Sequence, residues 1–158
     1  LALNEGPCAG FIGSDRFTKG ALPIVAVPTT AGTGSEVTPY AVLVDTSENQ
    51  KRTIKGRVLF PRVALLDPEL TPSLPPDITA YTGFDALSQS MEGLVSKKST
   101  AVGDILALEG CRLVKHWLPR AVNKPSDIEA RGGMLLAAML SGCVIAQSGT
   151  TLVHGMGY

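Results

Sequence analysis

Residues 23–35 read Pro23-Ile24-Val25-Ala26-Val27-Pro28-Thr29-Thr30-Ala31-Gly32-Thr33-Gly34-Ser35. The apolar run between the two prolines is short and rich in β-branched residues, the pattern of a strand buried on both faces. It leads directly into a loop of Thr, Gly and Ser, and the crevice beyond the carboxyl end of such a strand is where open α/β sheets accept ligands. Glycines let the backbone approach a phosphate, while hydroxyls and free N–H groups donate to it. The loop is not a Walker loop, because no Lys-Ser/Thr follows the glycines, and it is not the G-x-G-x-x-G fingerprint. The same composition also describes a tight turn capping a sheet.

Outward from this stretch, residues 40–45 and 63–67 are further strand candidates. The polar segment between them carries Lys51, Arg52, Lys55 and Arg57 and has room for a hairpin or an irregular excursion. After Pro75-Pro76-Asp77 the texture changes: Asp77 is a good N-cap and strand-like runs disappear. Residues 78–95, 101–117 and 127–147 each place apolar residues at i, i+3 and i+4, with Pro119 and Lys124-Pro125-Ser126-Asp127 as stop and restart signals. Gly132, Gly133 and Gly142 each lower the propensity of the third helix by ~1 kcal/mol relative to alanine, so close helix packing is expected there. The expected organisation is an α/β piece over residues 1–74 followed by a helical piece over residues 75–158.

Composition narrows the classes of function. The chain has 158 residues, 44% hydrophobic and 18% charged, enough for one real core. Fourteen basic residues balance fourteen acidic ones without a block of like charge, so no footprint for nucleic acid or an anionic membrane is visible. A small neutral or weakly charged ligand fits better. Cys8, Cys111 and Cys143 are odd in number, widely spaced and lack a C-x-x-C pair, which argues against a disulfide framework and for a reducing, cytoplasmic setting. Apolar runs are broken well short of the ~18 residues of a membrane-spanning helix, so none is expected. The start, Leu1-Ala2-Leu3-Asn4-Glu5, has neither Met nor a basic leader, which reads as a fragment boundary.

Three residues stand out as metal donors. Asp85 and Gln89 lie one helical turn apart and project from one face, a spacing that suits two oxygen ligands. His154 follows Gly149-Thr150-Thr151-Leu152-Val153, and an imidazole beside an aspartate suits Fe²⁺ or Zn²⁺. Taken locally, Asp85 and His154 read better as a helix-face carboxylate and a hydrogen-bonded histidine than as a metal pair. His116 reads as a helix C-terminal residue facing last-turn carbonyls. Lys51 and Arg52 read as surface charges, Glu36 and Glu92 as solvated carboxylates, and the cysteines as core or semi-buried residues.

The order of motifs is more specific than any one of them. Pro28-Thr29-Thr30-Ala31-Gly32-Thr33-Gly34-Ser35-Glu36-Val37-Thr38, a Lys-bearing segment, Asp67-Pro68-Glu69-Leu70-Thr71, Leu74-Pro75-Pro76, Thr79-Ala80-Tyr81-Thr82-Gly83-Phe84-Asp85-Ala86-Leu87 and Val153-His154-Gly155-Met156 follow one another along nearly the whole chain. This succession resembles that of the iron-containing (group III) alcohol dehydrogenases. The resemblance implies an α/β remnant of a dinucleotide-binding domain followed by an all-helical metal domain, a dehydroquinate synthase-like architecture, truncated at both ends. It implies that Thr29, Thr30 and Thr33 contact the pyrophosphate and nicotinamide side of NAD or NADP. Lys51 would reach the nucleotide, and Leu70 and Thr71 would line the adenine region. Asp85, His154 and, less typically, Gln89 would hold Fe²⁺ or Zn²⁺.

The implied reaction is hydride transfer between a small alcohol or aldehyde and nicotinamide, in a homo-oligomer. Many members carry histidine where this chain has Gln89, and a second histidine often stands where this chain has Tyr158. By the same resemblance, a Gly-Gly-Gly-Ser pyrophosphate loop would precede Leu1 and a further histidine ligand would follow Tyr158. The rival reading is a non-catalytic remnant that self-associates through exposed helices and a sheet edge.

Overall fold

The computed structural model describes residues 3–46 and 48–156, so Leu1 and Tyr158 lie outside the described residues. Among the described residues five strands come first: β1 (Gly13–Ser14), β2 (Val25–Ala26), β3 (Tyr40–Asp45), β4 (Gln50–Lys55) and β5 (Val63–Ala64). β3 and β4 pair antiparallel, from Tyr40 opposite Lys55 to Asp45 opposite Gln50, so the polar segment is the far arm of a hairpin. Asn49 takes the left-handed turn conformation there, with φ of 50°. β1 adds parallel to β4, and β2 pairs parallel with β5 in a separate two-stranded sheet.

The opening run therefore yields only a two-residue strand. Val25 is 62% exposed and Ile24 and Val27 are exposed too, contrary to the expectation of a strand buried on both faces. A parallel strand is buried on both sides only where helices cover both, and among the described residues these faces stay open.

The second half is helical: α1 (Pro76–Val95), α2 (Ala101–Asn123), α3 (Ile128–Ser148) and the short α4 (Leu152–Met156). α1 begins on Pro76, which needs no N–H partner at the first helical position. Asp77 is not its N-cap: Pro75 holds that position without a side-chain bond, and Asp77 sits in the first turn beside the helix's partial positive charge. Thr100 caps α2 by accepting from the Gly103 N–H at 3.0 Å, and Asp127 caps α3 by accepting from Ala130 at 3.1 Å.

α2 does not stop at Pro119. Leu118 and Ala121 are buried on either side of it, and Arg120 lies over the Trp117 ring at 4.8 Å while pairing with Asp127 and Glu129, both at 2.9 Å. Tertiary packing carries the helix through a residue that breaks it in isolation. His116 consequently lies well before the last turn, exposed and edge-on to Trp117 at 4.4 Å, rather than facing terminal carbonyls.

α1, α2 and α3 pack on one another around Ala86, Leu113, Val114, Leu118, Met134, Ala137 and Ala138. α3 is long and apolar enough to cross a bilayer by length and composition, contrary to the sequence reading, and more than half of it is buried within the fold. Its glycines serve the packing unequally. A Cβ on Gly133 would meet the Trp117 ring at 2.4 Å, and one on Gly142 would meet the Gly34 carbonyl at 2.5 Å, whereas Gly132 has only Pro68 at 3.7 Å.

Among the described residues, several contacts fasten the sheet part to the bundle. Gly34, with φ of 60°, lies against Gly142; the Tyr40 hydroxyl donates to the Ile145 carbonyl at 3.3 Å. The buried Arg131 guanidinium donates to the Leu74 carbonyl, the Thr79 hydroxyl and the Pro125 carbonyl at 3.2, 2.8 and 3.0 Å. The Thr/Gly loop is thereby held against α3, which packs on α1, the helix that carries Asp85 and Gln89.

Candidate functional site

One face of α1 carries the polar centre. Asp85, Gln89 and Glu92 fall at i, i+4 and i+7 and point the same way. The Gln89 amide donates from Nε2 to Asp85 Oδ2 at 3.0 Å and accepts at Oε1 from the Ser141 hydroxyl of α3, also at 3.0 Å. Gln89 is buried, whereas Asp85 is half-buried at the edge of the bundle.

Glu92 is the residue that the sequence reading treated as solvated, and it is buried. It ties the segment after α3 back onto α1. Its Oε2 accepts from the Thr151 N–H at 2.6 Å and from the Thr151 hydroxyl at 2.9 Å; its Oε1 accepts from Ser88 at 3.1 Å and lies 3.3 Å from His154 Nδ1. Burial alone would raise its pKa, but the two Thr151 donors, Ser88 and His154 outweigh it and hold the carboxyl below its ordinary range. The carboxylate against Nδ1 orients the imidazole of α4, the arrangement found behind metal-binding histidines.

Asp85 feels the same cluster. Desolvation raises its pKa; His154, the Gln89 amide and Lys51 oppose the rise, and Glu92 adds to it. Lys51 projects from β4, so Asp85, His154, Glu92 and Lys51 come from three separate parts of the chain into one electrostatic group. The spacing of Asp85 and Gln89 was readable in the sequence. Glu92 carried a usable signal as well, since it continues the same helical face.

Beside this cluster lies a cavity of about 630 Å³ walled by Thr33, Tyr40, Val42, Thr53, Gln89 and Ile145, among others. A neighbouring one of about 410 Å³ shares Thr33 and Tyr40 and adds Thr29, Thr30 and Glu36. The Thr33 and Ser35 hydroxyls bond each other at 2.7 Å at the junction. Thr33 and Gln89 thus wall the larger cavity together, whereas Thr29 and Thr30 line only the smaller one, beside Thr33. Leu70 and Thr71 line neither cavity: Leu70 is exposed on the 3₁₀ turn Pro68–Leu70, and Thr71 is buried with its hydroxyl donating to the Pro68 carbonyl at 2.9 Å. Tyr158 lies outside the described residues.

Glu36 also departs from expectation. It is 5% exposed, its Oε1 has no hydrogen-bond partner, and burial raises its pKa. Cys143 is half-buried and its thiol is pushed up by burial and by the charge of Glu36.

Comparison with known proteins gives this geometry a family. The profile described as "Iron-containing alcohol dehydrogenase" matches residues 1–68, and "Fe-containing alcohol dehydrogenase family, C-terminal" matches residues 79–158. The chain belongs to the iron-containing alcohol dehydrogenase family. It is 38% identical over its whole length to the NAD-dependent methanol dehydrogenase of Bacillus methanolicus, of which it covers 42%. It is 42% identical over 85% of its length to the 1-propanol dehydrogenase of Salmonella typhimurium, covering 36% of that protein.

Among solved structures, a 1,3-propanediol oxidoreductase superposes with a TM-score of 0.93 at 37% identity, over 98% of this chain and 41% of that one. The sulfoacetaldehyde reductase of Bifidobacterium kashiwanohense in complex with NAD⁺ superposes at 0.86 with 42% identity, over 94% and 40%. The chain therefore has the fold of part of an iron-containing alcohol dehydrogenase, a small sheet part and a helical part, and spans about two fifths of these relatives.

Whether the residues fit the family's metal rests on the donors. A four-coordinate site of the kind Zn²⁺ prefers takes N, S or O ligands. Asp85 and His154 offer a carboxylate oxygen and an oriented imidazole, and the desolvated Asp85 carboxylate gains from a cation beside it. Among the described residues no group of three or more His, Cys, Asp or Glu is placed to hold a metal. The two residues fit a divalent cation as part of a ligand set.

Proposed function

We propose that this chain is the central portion of a metal-dependent, NAD(P)-linked alcohol dehydrogenase that interconverts a small alcohol and its aldehyde. The observation that carries the reading is that Gln89, which walls the same cavity as Thr33, is hydrogen-bonded to Asp85. One side chain therefore joins the Thr/Gly loop's cavity to the carboxylate beside His154. In this reading residues 1–74 are the end of the nucleotide domain and residues 75–158 the start of the metal domain.

Asp85, His154 and Gln89 would hold Fe²⁺, with Zn²⁺ as the alternative occupant. When bound, the cation would supply Lewis acidity at the alcohol oxygen and the nicotinamide would supply a hydride acceptor. Glu92 keeps the His154 ring turned by its contact at Nδ1. Thr29, Thr30 and Thr33 offer hydroxyls to the pyrophosphate and nicotinamide side, and Lys51 offers charge to the nucleotide. Val42 and Ile145 supply apolar parts of the cavity wall. Leu70 and Thr71 are assigned to the adenine region by the family resemblance. NAD is the first choice of cofactor, because the methanol dehydrogenase relative is NAD-dependent and the sulfoacetaldehyde reductase binds NAD⁺. The setting proposed is cytoplasmic.

The test is nicotinamide reduction by the full-length protein with short primary alcohols, before and after chelation, with Thr33→Val as the cofactor-wall variant. The expected outcome is alcohol-dependent reduction lost on chelation and restored by Fe²⁺, with a raised KM for the nucleotide in Thr33→Val. Reduction that survives exhaustive chelation would contradict it.

A second reading, a non-catalytic remnant that self-associates, is favoured by one observation. Val102, Ile105 and Leu108 form an exposed apolar stripe along α2, each at least 60% accessible. Homo-oligomer formation is compatible with both readings; a stable oligomer that binds neither nucleotide nor metal supports the second alone.

A further inference from the structure

We propose that Ser141 allows the Gln89 amide to present either end to Asp85, and that a divalent cation turns this amide over so that Gln89 Oε1 becomes a ligand beside the carboxylate. The proposal rests on the reading that Asp85 and His154 hold a cation. In the structure Gln89 aims an N–H at Asp85 Oδ2, 3.0 Å away, and that end of the amide has no lone pair to give a metal. Rotating the terminal amide by half a turn exchanges Nε2 and Oε1, which have nearly the same shape.

Whether such a turn is permitted depends on the other end, which is buried. Ser141 is fully buried and Gln89 nearly so. The Ser141 oxygen lies 3.0 Å from Gln89 Oε1 and 2.8 Å from the Ala138 carbonyl, two acceptors competing for one hydroxyl hydrogen. In the present orientation the hydrogen can go to Gln89. With the amide turned, Nε2 donates to the Ser141 oxygen and the hydrogen goes to Ala138, so every group on the buried side keeps a partner. A residue with only donors or only acceptors could not serve both orientations.

On the Asp85 side the two orientations are not equivalent. Turned, the amide sets two acceptor oxygens about 3.0 Å apart, the present Nε2–Oδ2 separation, and without a cation they repel. A divalent cation beside the two oxygens would replace that repulsion with attraction to both. The cation therefore selects the turned amide, and Ser141 is a positioning residue that makes the selection inexpensive.

The experiment uses the full-length protein stripped of metal and titrated with Zn²⁺, which is diamagnetic. Affinity is read by calorimetry and the Gln89 side-chain amide protons by NMR, assigned through their loss in Gln89→Met. The expected result is that Zn²⁺ moves the Gln89 amide resonances. Gln89→Met and Ser141→Ala should each weaken binding by about tenfold, within the range for groups that support metal ligands. The double variant should be no weaker than Gln89→Met alone, because Ser141 acts only through Gln89. A merely structural Ser141 would instead lower the melting temperature of the stripped protein and weaken binding equally in the Gln89→Met background, which overturns the proposal. So does native-like Zn²⁺ affinity in Gln89→Met. If Asp85→Ala abolishes binding while Gln89→Met leaves it intact, the amide turn alone fails; if Asp85→Ala also binds normally, the cation reading fails with it.

Discussion

Glu36 sits in the 3₁₀ turn Ser35–Val37, buried, with one carboxyl oxygen unpartnered. Burial lifts its pKa in the folded state above the ordinary 4.5. The sign follows: this group's contribution to stability is fully present below the unfolded-state value and is lost as pH rises through the folded-state value. Glu36→Gln, which removes the charge and keeps the shape, should raise stability at neutral pH by about 1 kcal/mol and leave it nearly unchanged in acid below pH 4.5. Thermal melts across that range check this, and an equal shift at both ends would contradict it. The sequence could not reveal this burial, because Glu36 has no helical or strand periodicity around it and its environment comes from α3 (Ile128–Ser148), far along the chain. Asp85, Gln89 and Glu92 were different. They share a face by simple helical geometry, whereas Ser141 and Thr151 meet that face only through the tertiary fold.

Among the elements, α2 and α3 show where local rules yield to packing. Pro119 was a reasonable stop signal, yet α2 continues because Leu118 and Ala121 are already committed to the core. Its ring still denies the helix a hydrogen bond, so Pro119→Ala should stabilise the protein by roughly 1 kcal/mol, less than the full interior-proline cost because the substitution also frees the unfolded chain. Denaturant melts with an unchanged slope would report it; a loss of stability would mean that the ring itself packs usefully. Gly142 goes the other way. A Cβ there would meet the Gly34 carbonyl oxygen at 2.5 Å and the Gly34 Cα at 2.9 Å, backbone atoms that cannot rotate aside, as well as Val37 Cγ2 at 2.8 Å. Gly142→Ala should cost about 2 kcal/mol and loosen the Thr/Gly loop from α3, seen as a lower melting temperature together with faster amide exchange at residues 32–38. A glycine tolerant of alanine would remove this seam from the account. That close packing was needed in α3 could be read from its glycines; which of them touched the loop could not.

For the molecule as a whole, the boundary between sheet and helix regions near Pro75-Pro76 and the succession of motifs were legible because proline, glycine and helical period are local signals. The open faces of β2 were not, since strand burial depends on what lies over the sheet. The fold holds the Thr/Gly loop against α3, Gln89 against Asp85, and His154 against Glu92. This arrangement predicts a cation held by Asp85 and His154 in concert. The most direct test is Fe²⁺ binding stoichiometry of the full-length protein, prepared without oxygen, beside Asp85→Ala and His154→Ala with circular dichroism as the check on folding. The account predicts stoichiometric Fe²⁺ in the native protein and its loss in both variants with the helices intact. Undiminished Fe²⁺ in either folded variant, or none in the native protein, would contradict it.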